Sequence, residues 1–202
     1  MGLKFAGLES DGGIGFEERH FRGYSQRVVV ARPGKPVNNW HMSFREKIIG
    51  WDELVGWRAA LKAAGKNLVV TNGCFDLLHP GHVTYLEQAR NLGDALLVGL
   101  NGDDSVRQLK GEGRPVNEQT DRALVLAALE SVSGVCVFTE RTASRFLSVV
   151  KPDIYVKGGD YTLETLNQEE RSIVESAGGR VVVIPVVPGK STTSLLKKIS
   201  SL

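Results

Sequence analysis

Cysteine is scarce in this chain: Cys74 and Cys136 are the only two in 202 residues. So low a number excludes a disulfide framework and predicts two buried free thiols in a reducing compartment. No apolar run approaches the ~18 residues that a membrane-spanning helix needs. The N-terminus also lacks the apolar core of a signal peptide. Charge of one sign is missing too: 25 Lys and Arg against 23 Asp and Glu leave a net charge of +2. That balance excludes a general electrostatic pull toward nucleic acid or an anionic membrane. Any anion must therefore be held by a local site. Cys-x-x-Cys pairs are absent, and no third histidine lies close to the only closely spaced pair, so zinc has no support. These absences together predict a cytoplasmic protein that binds neither membrane nor nucleic acid.

What is present is an alternation. From Ile48 onward, short apolar runs rich in β-branched residues alternate with segments of helical period. Helices are predicted over 52–64, with Asp52 as cap and Gly65 as stop, and over 80–92, 103–109, 118–131, 142–150, 163–177 and 192–200. Strands are predicted over 67–72, 94–101, 135–138, 154–157 and 180–187. Nearly continuous apolar strands between helices predict an α/β fold: a Rossmann-like parallel five-stranded sheet with helices on both faces. Residues 1–45 differ. They are rich in breakers, as in Gly12-Gly13-Ile14-Gly15, and carry the charge run Glu17-Glu18-Arg19-His20. Only 27–31 reads as a strand. The division is thus a poorly packed extension over 1–45 and a folded domain over 46–202. Trp40, Trp51 and Trp57 read as packing residues.

The most informative segment runs from Thr71 to His82. It joins a buried strand to a helix through Asn72-Gly73-Cys74-Phe75-Asp76 and His79-Pro80-Gly81-His82. Gly73 and Gly81 let backbone approach a ligand closely. A helix N-terminus carries partial positive charge and free amides, and so suits phosphate. His79 and His82, three apart, share one side of the first turn. They read as hydrogen-bond donors to a triphosphate, with a surface pair or zinc ligation as alternatives. Asp76 is open to three roles: orienting the turn, contacting a metal–phosphate group, or capping the helix.

Other candidates follow the other strands, where an open parallel sheet binds ligands. Lys110 and Arg114 flank glycines in a basic loop that either closes over phosphates or is merely solvated, and Arg122 opens the next helix, where it either reaches the site or only pairs on the surface. Lys157-Gly158-Gly159-Asp160-Tyr161 follows the fourth strand. Gly189-Lys190-Ser191-Thr192 tempts a P-loop reading, but Ile184 stands where that pattern requires glycine. A second phosphate-suited helix start with Ser191, Thr192 and Thr193 remains, or a merely capped surface helix.

With these segments quoted, the chain resembles the HxGH nucleotidyltransferase superfamily. Leu109 to Asn117, Val156 to Tyr161 and Ser191-Thr192-Thr193 extend the resemblance, over roughly 47–202, to the D-glycero-β-D-manno-heptose 1-phosphate adenylyltransferases. The resemblance implies AMP transfer from ATP to heptose 1-phosphate, with release of pyrophosphate, in lipopolysaccharide core synthesis. It implies catalytic roles for His79, His82 and Lys110. It implies nucleotide contacts from Asn72, Gly73, Cys74, Phe75, Gly81, Asn101, Arg122, Ser191, Thr192 and Thr193. Acceptor contacts would come from Asp76, Arg114, Lys157, Gly158 and Asp160. Mg²⁺ would arrive with ATP and need no metal site from protein alone. A homodimer or higher homo-oligomer and a separate heptose 7-phosphate kinase are expected. The neighbouring glycerol 3-phosphate cytidylyltransferases are the alternative. They have lysine and arginine where this chain has Thr84 and Val186.

Overall fold

The computed structural model describes residues 16–21, 24–29, 43–159, 162, 164–185, 189 and 191–201. The chain divides into two compact units, 1–42 and 43–202. In the first unit, strands β1 (Phe16–Phe21) and β2 (Tyr24–Val29) pair antiparallel, with Phe16 opposite Val29 and Phe21 opposite Tyr24. The second strand overlaps the one expected over 27–31. The first corrects the sequence reading, because the charge run Glu17 to His20 lies inside a strand. A two-stranded ladder draws on backbone hydrogen bonds, which charged side chains do not prevent. Trp40 lies outside the described residues.

The second unit alternates helix and strand. Its strands are β3 (Leu68–Gly73), β4 (Ala95–Asn101), β5 (Gly134–Phe138), β6 (Ile154–Gly158) and β7 (Arg180–Ile184). They are parallel and run β5-β4-β3-β6-β7 across the sheet. The expected five-stranded Rossmann-like sheet is therefore present. Every residue of β4 is buried, as suits a strand covered on both faces. The helices are α1 (Trp51–Ala63), α2 (Pro80–Arg90), α3 (Asp103–Lys110), α4 (Gln119–Ala127), α5 (Ser144–Val150), α6 (Gln168–Ser176) and α7 (Thr192–Ser200).

Strand alternation splits the core in two. Val69, Leu96, Val98, Val135 and Val156 face one way and pack with Leu86 and Ala89 of α2 and Ala123, Leu126 and Ala127 of α4. Leu68, Val70, Leu97, Cys136 and Tyr155 face the other way and pack with Leu54 of α1, Phe146, Leu147 and Val150 of α5, and Val174 of α6. Each leucine buried this way contributes about 1.5–3 kcal/mol. Trp51 and Trp57 pack against the second cluster, and the Trp51 indole N–H donates to the Val137 carbonyl at 2.8 Å. Gly99 of β4 lets the Phe146 ring lie on the strand; an added Cβ would come within 2.5 Å of that ring.

Several boundaries differ from expectation at the ends. Asp52 does not cap α1; Gly50 does, and its N–H donates to the Glu53 carboxylate at 3.1 Å. α4 ends at Ala127, and α6 begins only at Gln168, where the Asn167 side chain accepts from the amides of Glu169 and Glu170. Residues 164–165 form a turn instead, because Asn167 is the stronger helix start.

Candidate active site

The order β5-β4-β3-β6-β7 reverses direction between β3 and β6. At such a switch point the flanking connections leave on opposite faces and a crevice opens beyond the strand ends. A cleft of about 640 Å³ lies there. All five strands of the sheet deliver residues to it from their carboxyl ends or from the segments that follow. Asn72 and Gly73 come from β3, Asn101 from β4, Arg141 and Thr142 from beyond β5, Lys157 and Gly158 from β6. Ser191, Thr192 and Thr193 come from the start of α7.

The turn after β3 is conformationally demanding. Phe75 has φ of 42°, in the left-handed region that L-residues rarely occupy. Burial of its ring holds it there, and the Gly73 backbone comes so near that a Cβ would lie 3.0 Å from that ring. His79 is the N-cap residue of α2, Pro80 supplies the first turn, and His82 stands one turn on. The two imidazoles stack with centroids 3.8 Å apart and planes 18° from parallel. The Phe75 ring meets His82 edge-on at 5.3 Å. Burial, and then the neighbouring His79, lower the His82 pKa to about 4, against a weaker opposing influence of the Leu77 backbone. At neutral pH His82 is therefore an uncharged imidazole. Its buried Nδ1 finds no hydrogen-bond partner among the described residues. Two stacked cations would repel strongly, so neutrality is what permits this approach.

The start of α7 closes the cleft from beside the turn. Ser191 caps that helix, accepting from the Ser194 amide at 3.1 Å, and the Thr192 hydroxyl donates to the Leu77 carbonyl at 3.2 Å. The second helix start is thereby tied to the His79–His82 segment. Lys110 at the end of α3, Arg114, Arg141 and Lys157 also line the cleft. Four cations and two helix N-termini around one cavity suit a polyanion in a chain with a net charge of only +2.

Asp76 answers the question its sequence position left open. It is buried, and it does not cap α2. Its carboxylate accepts from Arg114 Nε at 2.5 Å and from the amides of Val116 and Asn117 at 2.7 and 3.1 Å. It orients the basic loop. Among the described residues no group of three His, Cys, Asp or Glu side chains is placed to hold a metal. Asp76 is thus engaged by Arg114 and the loop amides.

Arg122 lies apart from the cleft lining. Its fully buried guanidinium donates from Nη1 to the carbonyls of Cys74 at 2.6 Å and Asn101 at 2.9 Å, and from Nε to that of Asn117 at 2.9 Å. Nη2 pairs with Asp103 at 2.7 Å. It joins the β3 turn, the end of β4, α3 and the basic loop from behind, a bracing position instead of the nucleotide contact expected of it. Asn101 reaches the lining, but its side-chain amide donates to Ser105 at 2.9 Å. Cys74, read as buried, is only half-buried, and Cys136 is fully buried; both are free thiols. Asp160 lies outside the described residues.

Sequence reasoning passed over Tyr85, Arg141, Asn167 and Glu170, all of which line the cleft. Arg141 follows a strand at its carboxyl end, so the rule that found Lys157 would have found it. Tyr85 and Glu170 sit on helices and give no local signal. The Tyr85 hydroxyl lies 2.6 Å from Thr71 Oγ1 and donates to the Val156 carbonyl at 3.1 Å.

The family model described as cytidylyltransferase-like matches residues 70–201. The chain is 43% identical over 208 residues to the bifunctional protein HldE of Geobacter sulfurreducens, an alignment taking in 98% of this chain and 42% of that protein. It is 52% identical over 141 residues to the bifunctional protein HldE of Trichlorobacter lovleyi, covering 70% of this chain and 28% of the relative. The chain thus spans less than half the length of these curated relatives. Among solved structures, the lipopolysaccharide core biosynthesis protein from Thermoplasma volcanium superposes with a TM-score of 0.50 at 28% identity, covering 61% of this chain and 98% of the other. The matched span runs from the middle of β3 through α7 and so contains the whole cleft: the chain belongs to the cytidylyltransferase-like family of nucleotidyltransferases.

Proposed function

We propose that this chain transfers AMP from ATP to D-glycero-β-D-manno-heptose 1-phosphate, giving ADP-heptose and pyrophosphate in lipopolysaccharide core precursor synthesis. The observation that carries the reading is the stacked pair His79–His82 at one helix start, with a second helix start and four cations around the same cleft. Similarity to proteins named HldE and to a lipopolysaccharide core biosynthesis protein supports the choice of acceptor.

In this mechanism an oxygen of the sugar phosphate attacks the α-phosphorus of ATP. The bond from that phosphorus to the bridging oxygen breaks, and pyrophosphate leaves with the electron pair. No residue forms a covalent bond. Charge grows on the α-phosphoryl oxygens and the leaving group, so fixed donors are what the reaction needs. The two imidazoles supply N–H donors at the phosphates, and His82, held uncharged by burial, adds its donor without placing a second cation beside His79. The amides at the starts of α2 and α7 add further positive potential. Lys110 neutralises phosphate charge from the end of α3, and Arg114 and Lys157 meet the acceptor. Asn72, Gly73, Phe75 and Gly81 form the nucleotide-binding turn. Mg²⁺ would accompany ATP as its counter-ion. The reaction takes place in the cytoplasm, in a homo-oligomer, on a route that also contains a heptose 7-phosphate kinase.

The test is a matrix of nucleotides against sugar and alcohol phosphates, read as pyrophosphate release. ATP with heptose 1-phosphate should give the highest kcat/KM. An equal or greater rate with CTP and glycerol 3-phosphate would replace this reading with the cytidylyltransferase one.

A further inference from the structure

We infer that Glu170, on α6, is a positioning residue that sets Lys157 for the acceptor phosphate, through a network that also takes in Asn72. The inference rests on the reading of Lys157 given above. Glu170 is 5% exposed, and both carboxylate oxygens are engaged. Oε1 accepts from the Ala143 amide at 2.8 Å, at the start of α5. Oε2 lies 2.7 Å from the Tyr155 hydroxyl and 3.5 Å from Lys157 Nζ. The same two donors converge on Asn72 Oδ1, Tyr155 Oη at 2.7 Å and Lys157 Nζ at 3.0 Å.

Counting protons shows what this arrangement does. The hydroxyl of Tyr155 has one hydrogen, and two acceptors stand within reach of it. When that hydrogen goes to Glu170, Asn72 Oδ1 is served by Lys157. The hydroxyl and the ammonium thus serve two oxygens between them, and each donor can take the oxygen that the other leaves. Because both donors need an acceptor, the carboxamide is fixed with its oxygen on this side and its NH₂ on the other. Glu170 keeps the ammonium folded against the end of β6, pre-set at the cleft wall, where an unpaired lysine would spread over many rotamers.

Glu170→Gln keeps an oxygen for the Ala143 amide and removes the charge that attracts Lys157. The expected result is a rise in KM for the sugar phosphate of about tenfold to a hundredfold. KM for ATP should stay near the parent value, while the thermal midpoint falls because Lys157 loses the buried carboxylate it pairs with. In a Lys157→Met background the same change should have no further effect on KM, since the two residues act as one unit. Tyr155→Phe, which removes the bridging hydroxyl, should raise KM for the same substrate. The side-chain amide NMR signals of Asn72 should shift in Glu170→Gln and Lys157→Met alike. Additive effects in the double variant, or unmoved Asn72 signals, would overturn the inference and leave Glu170 as a structural tie between α5 and α6. The NMR readout needs no substrate, so it decides the role of Glu170 even if heptose 1-phosphate proves not to be the acceptor.

Discussion

Asp76 and Arg114 form an ion pair at 2.5 Å across 38 positions of sequence, with the carboxylate side chain 1% and the guanidinium side chain 16% exposed. One partner ends the turn that precedes the histidines, and the other sits in the basic loop. The pair therefore couples the turn after β3 to the basic loop. A carboxylate buried this deeply is costly unless paired, and breaking such a pair typically costs about 3–5 kcal/mol. Asp76→Asn is expected to lower stability by about 3 kcal/mol, since the loop amides keep one acceptor, and to make 110–117 sensitive to protease. Urea unfolding and limited proteolysis check both outcomes, and a loop cleaved no faster than in the parent would contradict the anchoring role.

His82 should matter to turnover and little to ground-state binding. Its replacement by alanine or glutamine is expected to lower kcat about 10²–10³-fold, the loss typical of one transition-state donor. ATP affinity by calorimetry should change only a few-fold. His79, stacked on it at 3.8 Å, is expected to behave similarly, and the double variant should fall short of the product of the two losses.

The depressed pKa of His82 also has a stability signature. Its folded value is about 4, and its ordinary value 6.5, so between these the unfolded chain binds more protons. The contribution is fully present above pH 6.5 and is lost as pH falls toward 4. Denaturant unfolding at steps across that window should show stability dropping with acidity. His82→Gln should drop less steeply, and equal slopes would mean that His82 stays easily protonated in the fold.

Arg122 is expected to behave as a brace. Arg122→Lys keeps the charge and loses the fork that bonds three carbonyls and Asp103. Unfolding should become easier by about 2–4 kcal/mol, while KM for ATP in the folded enzyme remains close to the parent value. A large rise in that KM at unchanged stability would return Arg122 to the nucleotide site.

Gly158 tests the wall of the cleft. A Cβ there would lie 2.7 Å from the Tyr85 ring, which is tied through its hydroxyl to Thr71 and the Val156 carbonyl. Gly158→Ala should therefore cost about 1–3 kcal/mol, the usual range for overpacking. Gly158→Ala combined with Tyr85→Phe, which loosens the ring, should recover part of that loss on thermal unfolding.

Legibility followed range. The five parallel strands and their helices were readable because each is written in a local period, apolar runs of strand length such as Leu68-Val69-Val70 against helical spacing. The turn of Asn72 to Asp76 was readable for the same reason: strand, breaker and helix start are adjacent in the chain. The ends were less so. Asn167 caps α6, since a side-chain cap outweighs a few residues of helical composition. The charge run Glu17 to His20 lies in a strand although its composition suggested none, since a hairpin is decided by pairing and not by propensity.

What this sequence determined alone was the class of fold and the nature of the cradle: strand, glycine turn, His79 and His82 on one helical face, and a second helix start at Ser191. Those are local properties, set by period, turn chemistry and the direction of side chains along one helix. Only the tertiary structure decided which charges face the cleft and which brace the fold. Asp76, Arg122 and Glu170 are the same residue types as the expected ligands of a phosphate site, yet each is spent inside the protein on partners up to 48 positions away. A buried charge takes its role from whatever the fold brings within about 3 Å of it, and no local pattern in the chain records that distance.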